Sequence, residues 1–256
     1  MTKQVLVIGL QDYYGLNFFL LFFLIFLKNK MINLTNNKKM KVLELFSGTQ
    51  SVGKVCEEKG YEVISVDIND YKGKYTPTHK VDILKFDYKK YKKDAFDIIW
   101  ASPPCLYYSN LQYSWIGRKK RDQKTKELYT FTRQHLEDNI EIADNWVKKT
   151  LEIINYFNPK LWFMENPKTG RMKSREFMKD IPYYDVDYCM YCDWGYKKPT
   201  RIWTNKKDFK PLTCNKECGN INDKGRHTKR LGGFRDKTTK LDRYRIPPKL
   251  IESLLE

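Results

Sequence analysis

The sequence predicts an α/β fold, a doubly wound and mostly parallel sheet with a small C-terminal element, on three observations. From Met40 onward, short runs rich in β-branched residues and leucine alternate with helical stretches. Each apolar run stops at a turn former or a polar residue. The chain has 256 residues, of which 41% are hydrophobic, enough for one α/β core and a modest appendage.

Taken in order, residues 41–45 (KVLEL) read as a buried strand running into Phe46-Ser47-Gly48. A helix over 51–59 follows, with Gly60 as its C-terminal cap. Residues 62–66 (EVISV) are a second strand with Asp67 at its end, and a loop carrying Asp82 comes next. Residues 96–101 (FDIIWA) form a strand that enters Ser102-Pro103-Pro104-Cys105. A basic loop over 110–132 leads to a helix over 136–157, and the strand 161–164 (LWFM) stops at Glu165-Asn166-Pro167. The expected organisation is an N-terminal extension over 1–39, a core over 40–180 and a small cysteine-bearing C-terminal element over 181–256.

In doubly wound sheets, ligands bind beyond the carboxyl ends of the strands. Phe46 to Gly48, Asp67, Pro104-Cys105 and Glu165 all fall at such ends. The glycines of FSGTQSVG let a ligand approach the backbone, and the helix that follows offers a positive N-terminus. By itself such a turn is as often structural. Asp67 suits a ribose hydroxyl, or is an ordinary loop aspartate. The diproline stiffens the loop before Cys105, whose thiolate is a strong nucleophile. A buried structural thiol is the alternative. Glu165 can share a proton with a heteroaromatic ring, or cap a turn.

These motifs, in this order, resemble the cytosine-C5 DNA methyltransferases. FSGTQSVG is similar to their cofactor motif, SPPCLYYS to the catalytic cysteine motif and ENP to the Glu-Asn motif. KPTRIWTN (198–205) and RYRIPPK (243–249) resemble a compact phage and viral subgroup, and the likeness covers most of 40–256. It implies a Rossmann-like, S-adenosylmethionine-dependent methyltransferase fold with DNA as partner. It further implies that Cys105, presented by Pro104, attacks carbon 6 of a flipped-out cytosine while Glu165, with Asn166 beside it, contacts the ring. Arg201 would support the base. Phe46, Ser47, Gly48, Thr49, Asp67, Ile68, Asp82, Ile83 and Ser102 would hold the cofactor. The chain departs from the pattern in Leu106, where the family carries glutamine, and in Pro167, where it carries valine. A long target-recognition domain and a C-terminal glycine-asparagine motif are not found.

Lys+Arg number 48 against 31 Asp+Glu, a net charge of +17, which favours a polyanionic partner or simply solubilises the surface. Between Tyr107 and Arg133, Tyr107, Tyr108, Tyr113 and Trp115 precede Arg118, Lys119, Lys120 and Arg121. That composition suits base stacking and phosphate contact, or a mobile solvated loop. Cys189, Cys192, Cys214 and Cys218, with His227 beyond, have the flavour of a zinc site, but incidental thiols are the favoured reading and no metal is assigned.

Six cysteines without a secretory signal point to a reducing, intracellular setting. Residues 16–27 are intensely apolar yet shorter than the roughly 20 residues of a membrane span. They read as a short anchor, an extra packed helix or an upstream extension. The last is favoured because Met40 immediately precedes the first strand. No obligate protein partner is indicated. Three alternatives stand beside a DNA cytosine-C5 enzyme: an RNA methyltransferase, an inactive DNA-binding relative, and an amino-group methyltransferase that uses the SPP loop without covalent attack.

Overall fold

The computed structural model describes residues 39–122, 125–231, 238–239 and 241–256. The expectations for the apolar segment 16–27 lie outside these residues. Among the described residues no helix is long and apolar enough to cross a membrane.

Among the described residues, nine strands form two sheets: β1 (Lys41–Leu45), β2 (Glu62–Asp67), β3 (His79–Lys80), β4 (Ile98–Ala101), β5 (Lys119–Arg121), β6 (Leu128–Thr130), β7 (Leu161–Pro167), β8 (Tyr183–Asp187) and β9 (Pro199–Thr204). The main sheet runs β3-β2-β1-β4-β7-β9-β8, and β5 and β6 pair as a separate ribbon. The first five strands of that order are parallel, while β9 and β8 add antiparallel at one edge.

The pleat turns successive side chains of β1 and β4 to opposite faces, and both faces are covered. Leu43, Leu45, Ile99 and Ala101 pack with Val147, Ile153 and Phe157 of the long helix α2 (Arg133–Phe157). Val42, Ile98 and Trp100 pack with Val52 and Val55 of α1 (Ser51–Glu58) and with Leu250, Ile251 and Leu254 of α3 (Pro248–Leu255). Buried positions recur along α2 at Leu136, Ala143, Val147, Ile154 and Phe157, a single stripe of a 3.6-residue helix.

Helix α2 starts three residues before the expected 136 because Thr132 caps it. The Thr132 hydroxyl accepts from the His135 amide, and His135 Nδ1 accepts from the Thr132 amide. The segment 181–256, expected as a small C-terminal element, contributes β8 and β9 to the main sheet and α3 to its helical layer. Ile202 and Trp203 are buried through that pairing, so this segment shares the hydrophobic core of 40–180.

β1 joins β2 on one side and β4 on the other. Its carboxyl end is therefore the point at which the strand order reverses, where a crevice opens.

Candidate active site

A cavity of about 310 Å³ occupies that crevice. It is lined by Phe46, Ser47 and Gly48 after β1, Asp67 and Ile68 after β2, Asp82 and Ile83, Ser102, Pro104 and Cys105 after β4, and Glu165 and Asn166 on β7. Four strand ends converge here, so residues far apart in the chain share one wall.

The turn after β1 is tightly specified. Phe46, Gly48 and Gln50 adopt left-handed backbone conformations, with φ of 56°, 52° and 54°. For Phe46 and Gln50 this costs energy that the surrounding contacts must offset. The Ser47 amide donates to the Val66 carbonyl, and the Gly48 amide donates to Asp67 Oδ2 at 2.8 Å. Asp67 Oδ1 accepts from the Asn69 amide at 2.7 Å, so this carboxylate clasps its own turn to the preceding one. Each of its oxygens retains acceptor capacity toward the cavity.

Gly53 is needed for a reason other than ligand approach. A Cβ there would stand 2.8 Å from Glu44 Oε2. Glu44, buried on β1, accepts from the Val52 and Gly53 amides at 3.2 and 3.1 Å. The donors at the start of α1 that the sequence offered to a ligand are therefore capped by a protein carboxylate. Burial outweighs these two hydrogen bonds and raises the Glu44 pKa to about 8. Thr49, expected among the cofactor residues, does not line the cavity; it is buried in the turn and its hydroxyl pairs with that of Ser51.

Cys105 stands on the loop after β4. Asn166 Nδ2 donates to the Pro103 carbonyl at 2.9 Å, which ties the diproline loop to the end of β7. Gln112 donates to the carbonyls of Leu106 and Tyr107 at 3.1 and 2.6 Å, and Asn139 donates to Gln112 Oε1 at 2.7 Å, so α2 holds the loop from behind. The thiol is open to the cleft but ringed by protein. Its pKa is raised by desolvation, opposed by the positive charge of Lys198.

Glu165 is 7% exposed and accepts from the Tyr188 hydroxyl at 3.5 Å. Burial, with the Glu165 charge next, holds the Tyr188 phenol far above its ordinary pKa, so it stays a donor.

Arg201, expected to support the base, does not line this cavity. It lies opposite Asp185 in the β8–β9 register, and its guanidinium makes two bonds to that carboxylate at 2.8 and 3.0 Å. The cation that does line the cavity from the same KPTRIWTN stretch is Lys198, which is buried and donates to the Arg243 carbonyl at 2.9 Å. Arg243 and Tyr244 complete that side. Lys198 and Arg243 each begin a stretch noted in the sequence, but nothing in residue type alone singled them out.

The aromatic and basic loop is partly structural. Tyr108 is 0% exposed and donates to Asp144 Oδ1 at 2.7 Å, so it belongs to the core and cannot stack on a base. Tyr107 stacks on Trp146 at 5.5 Å between ring centres. The cations sit on the β5–β6 ribbon, where Lys119 and Arg121 are exposed and Lys120 lies 3.8 Å over the Trp115 ring. Leu106, Leu111, Tyr113 and Ile116, all exposed, lie between Cys105 and this ribbon in the chain.

The chain is 40% identical over 230 residues to the "Probable DNA (cytosine-5)-methyltransferase" of Frog virus 3 (isolate Goorha), an alignment spanning 85% of this chain and 99% of that protein. No family model matches. Among solved structures, it is similar to the Entamoeba histolytica methyltransferase EhMeth, with a TM-score of 0.44, 15% identity, and 70% of this chain and 58% of that one covered. A DNMT2 variant from Spodoptera frugiperda gives a TM-score of 0.36 and 18% identity, with 69% and 54% covered.

Proposed function

The chain belongs to the DNA (cytosine-5)-methyltransferase family, enzymes that methylate carbon 5 of cytosine with S-adenosylmethionine, and we propose that it works through a covalent bond from Cys105 to the base. The observation that carries this reading is the convergence of Cys105, Glu165 and the strained glycine turn on one cavity.

The residues present fit the methyl donor. The turn at Phe46 to Gly48 lines the cavity, and Asp67 offers acceptor capacity for ribose hydroxyls. Ile68, 60% exposed at the cavity edge, offers an apolar face to a planar base. Bound S-adenosylmethionine supplies an electrophilic methyl group. Cys105 adds to carbon 6 of the extruded cytosine and pushes electron density toward carbon 5. Glu165 meets the polar edge of the ring and stabilises the charge that develops there. Transfer of the carbon 5 proton to water after methylation re-forms the double bond between carbons 5 and 6 and expels Cys105 as its thiolate.

The base must leave the stack for carbon 6 to be reached, at a cost of a few kcal/mol that contacts to backbone and base offset. Exposed Lys119 and Arg121, with the +17 net charge of the chain, fit phosphate contact. An intracellular site of action suits six free cysteines.

The decisive test is incubation with DNA containing 5-fluorocytosine and S-adenosylmethionine. Fluorine cannot leave carbon 5 as a proton does, so a denaturation-resistant protein–DNA adduct is expected, with Cys105 as the modified residue. Methylation of ordinary DNA without any trapped adduct would remove the covalent mechanism.

Lys198 lends itself to a second prediction. Its charge lowers a Cys105 pKa that burial has raised. Since the thiolate is the reactive form, kcat/KM rises with pH on its acid limb. Lys198→Met removes the cation, raises the thiol pKa further and should move that limb alkaline by up to about one pH unit. A profile superimposable on the wild type would show that Lys198 serves structure alone.

A further inference from the structure

We propose that Cys189, Cys214, Cys218 and His227 bind a structural zinc ion. The three sulfurs and one ring nitrogen lie within 4.8 Å of one another. His227 Nε2 stands 3.6 Å from Cys214 Sγ and 3.4 Å from Cys218 Sγ. With Zn–S near 2.3 Å and Zn–N near 2.0–2.1 Å, a tetrahedral centre requires sulfur and nitrogen to be about 3.6 Å apart. The observed separations match that figure, whereas a disulfide would need sulfurs about 2.05 Å apart, and all six cysteines are free.

The surroundings also suit a metal centre. Lys216, at φ 80°, directs its amide to Cys214 Sγ at 3.2 Å, a donor that stabilises a thiolate. The buried Asn220 amide bonds the carbonyls of Cys189, Cys192 and Cys218 at 3.1, 2.9 and 3.2 Å, which locks together the two chain segments bearing the ligands. Three thiolates, a neutral imidazole and Zn²⁺ carry one net negative charge. Lys197 lies beside them, donating to the Cys214 carbonyl at 3.0 Å.

The ligand set differs from the four cysteines the sequence suggested. Cys192 turns its thiol to the Tyr188 carbonyl at 3.1 Å, and His227 takes the fourth position through a short β-bridge between Ile221 and His227. The reason for a metal is visible in the segment after β9. Among its described residues, 205–231 contain no helix and no strand beyond that bridge, and few buried apolar side chains. A metal cross-link that closes a long irregular segment of this kind reduces the conformational freedom it would otherwise have. Zinc ties it to the turn at Tyr188–Met190, on the same chain segment as the cavity-lining Lys198 that follows. Binding replaces three thiol protons with the metal and releases them to solvent.

The test uses the full chain, purified without chelators and analysed for metal. About one zinc per chain is expected. The same protein loaded with Co²⁺ should show the visible bands of a tetrahedral thiolate site. Cys214→Ser should lose most of the zinc and the cobalt bands, while Cys192→Ser should keep both, which separates this ligand set from a four-cysteine one. Chelation of the wild type should lower its thermal midpoint, restored by Zn²⁺. The proposal falls if the reduced protein neither contains nor takes up zinc, or if Cys192→Ser loses the metal as Cys214→Ser does. Because these readouts do not involve methyl transfer, they stand or fall apart from the catalytic reading.

Discussion

Cys105→Ser is expected to abolish methyl transfer, lowering kcat/KM by on the order of 10⁴-fold or more, with no trapped adduct on 5-fluorocytosine DNA. A serine hydroxyl ionises far less readily than a thiol, so the attack on carbon 6 loses its nucleophile while the remaining site stands. The barrier rises by about 5.4 kcal/mol for each 10⁴ in rate. Cys105 is exposed at the cleft and contributes little to the core, so the variant should fold and bind DNA as the wild type does. Labelled methyl transfer, adduct formation and DNA binding measured together keep loss of chemistry distinct from loss of structure. Activity within about tenfold of wild type would instead favour methylation of an amino group, which needs no cysteine.

Glu165→Gln should reduce kcat by about 10²–10⁴-fold while leaving DNA affinity close to wild type. The amide preserves the shape of the side chain and an acceptor for the Tyr188 hydroxyl at the end of β7. It can also donate a hydrogen bond to a ring nitrogen. What it cannot do is give up or take back a proton as charge builds in the ring. Single-turnover rates separate that chemistry from binding, and an unchanged rate constant would take Glu165 out of the reaction. The two variants together form a mechanistic pair: Glu165→Gln should still form the 5-fluorocytosine adduct, only slowly, whereas Cys105→Ser should form none.

The strands that build the cavity were legible because they are short runs rich in β-branched residues and leucine, each ending at a turn former or polar residue. β1 has the bounds read from the sequence, and β2, β4 and β7 differ only at their ends. The start of α2 was misplaced because its capping partner is His135, where glutamate or glutamine is the usual signal. β8 and β9 were not identified as strands. Their pairing to each other and to β7 is a long-range fact, and Arg201 shows the consequence. A cation in a motif-like stretch suggests a site, but its neighbour across the ladder, Asp185, lies 16 residues away and claims it. Tyr108 was assigned to a nucleic-acid surface for the same kind of reason, until Asp144, 36 residues on, held its hydroxyl in the core.

The order of motifs along this chain made the α/β fold class legible and carried the resemblance to the cytosine-C5 DNA methyltransferases, since local residue type and spacing already mark a strand end, a diproline turn and a thiol. Which cation faces Cys105, which carboxylate caps α1 and which fourth ligand joins three cysteines were decided only by folding. The first and third depend on segments distant in the chain being brought together, and the second on the Glu44 side chain meeting the Val52 and Gly53 amides across the turn; local patterns carry no information about either.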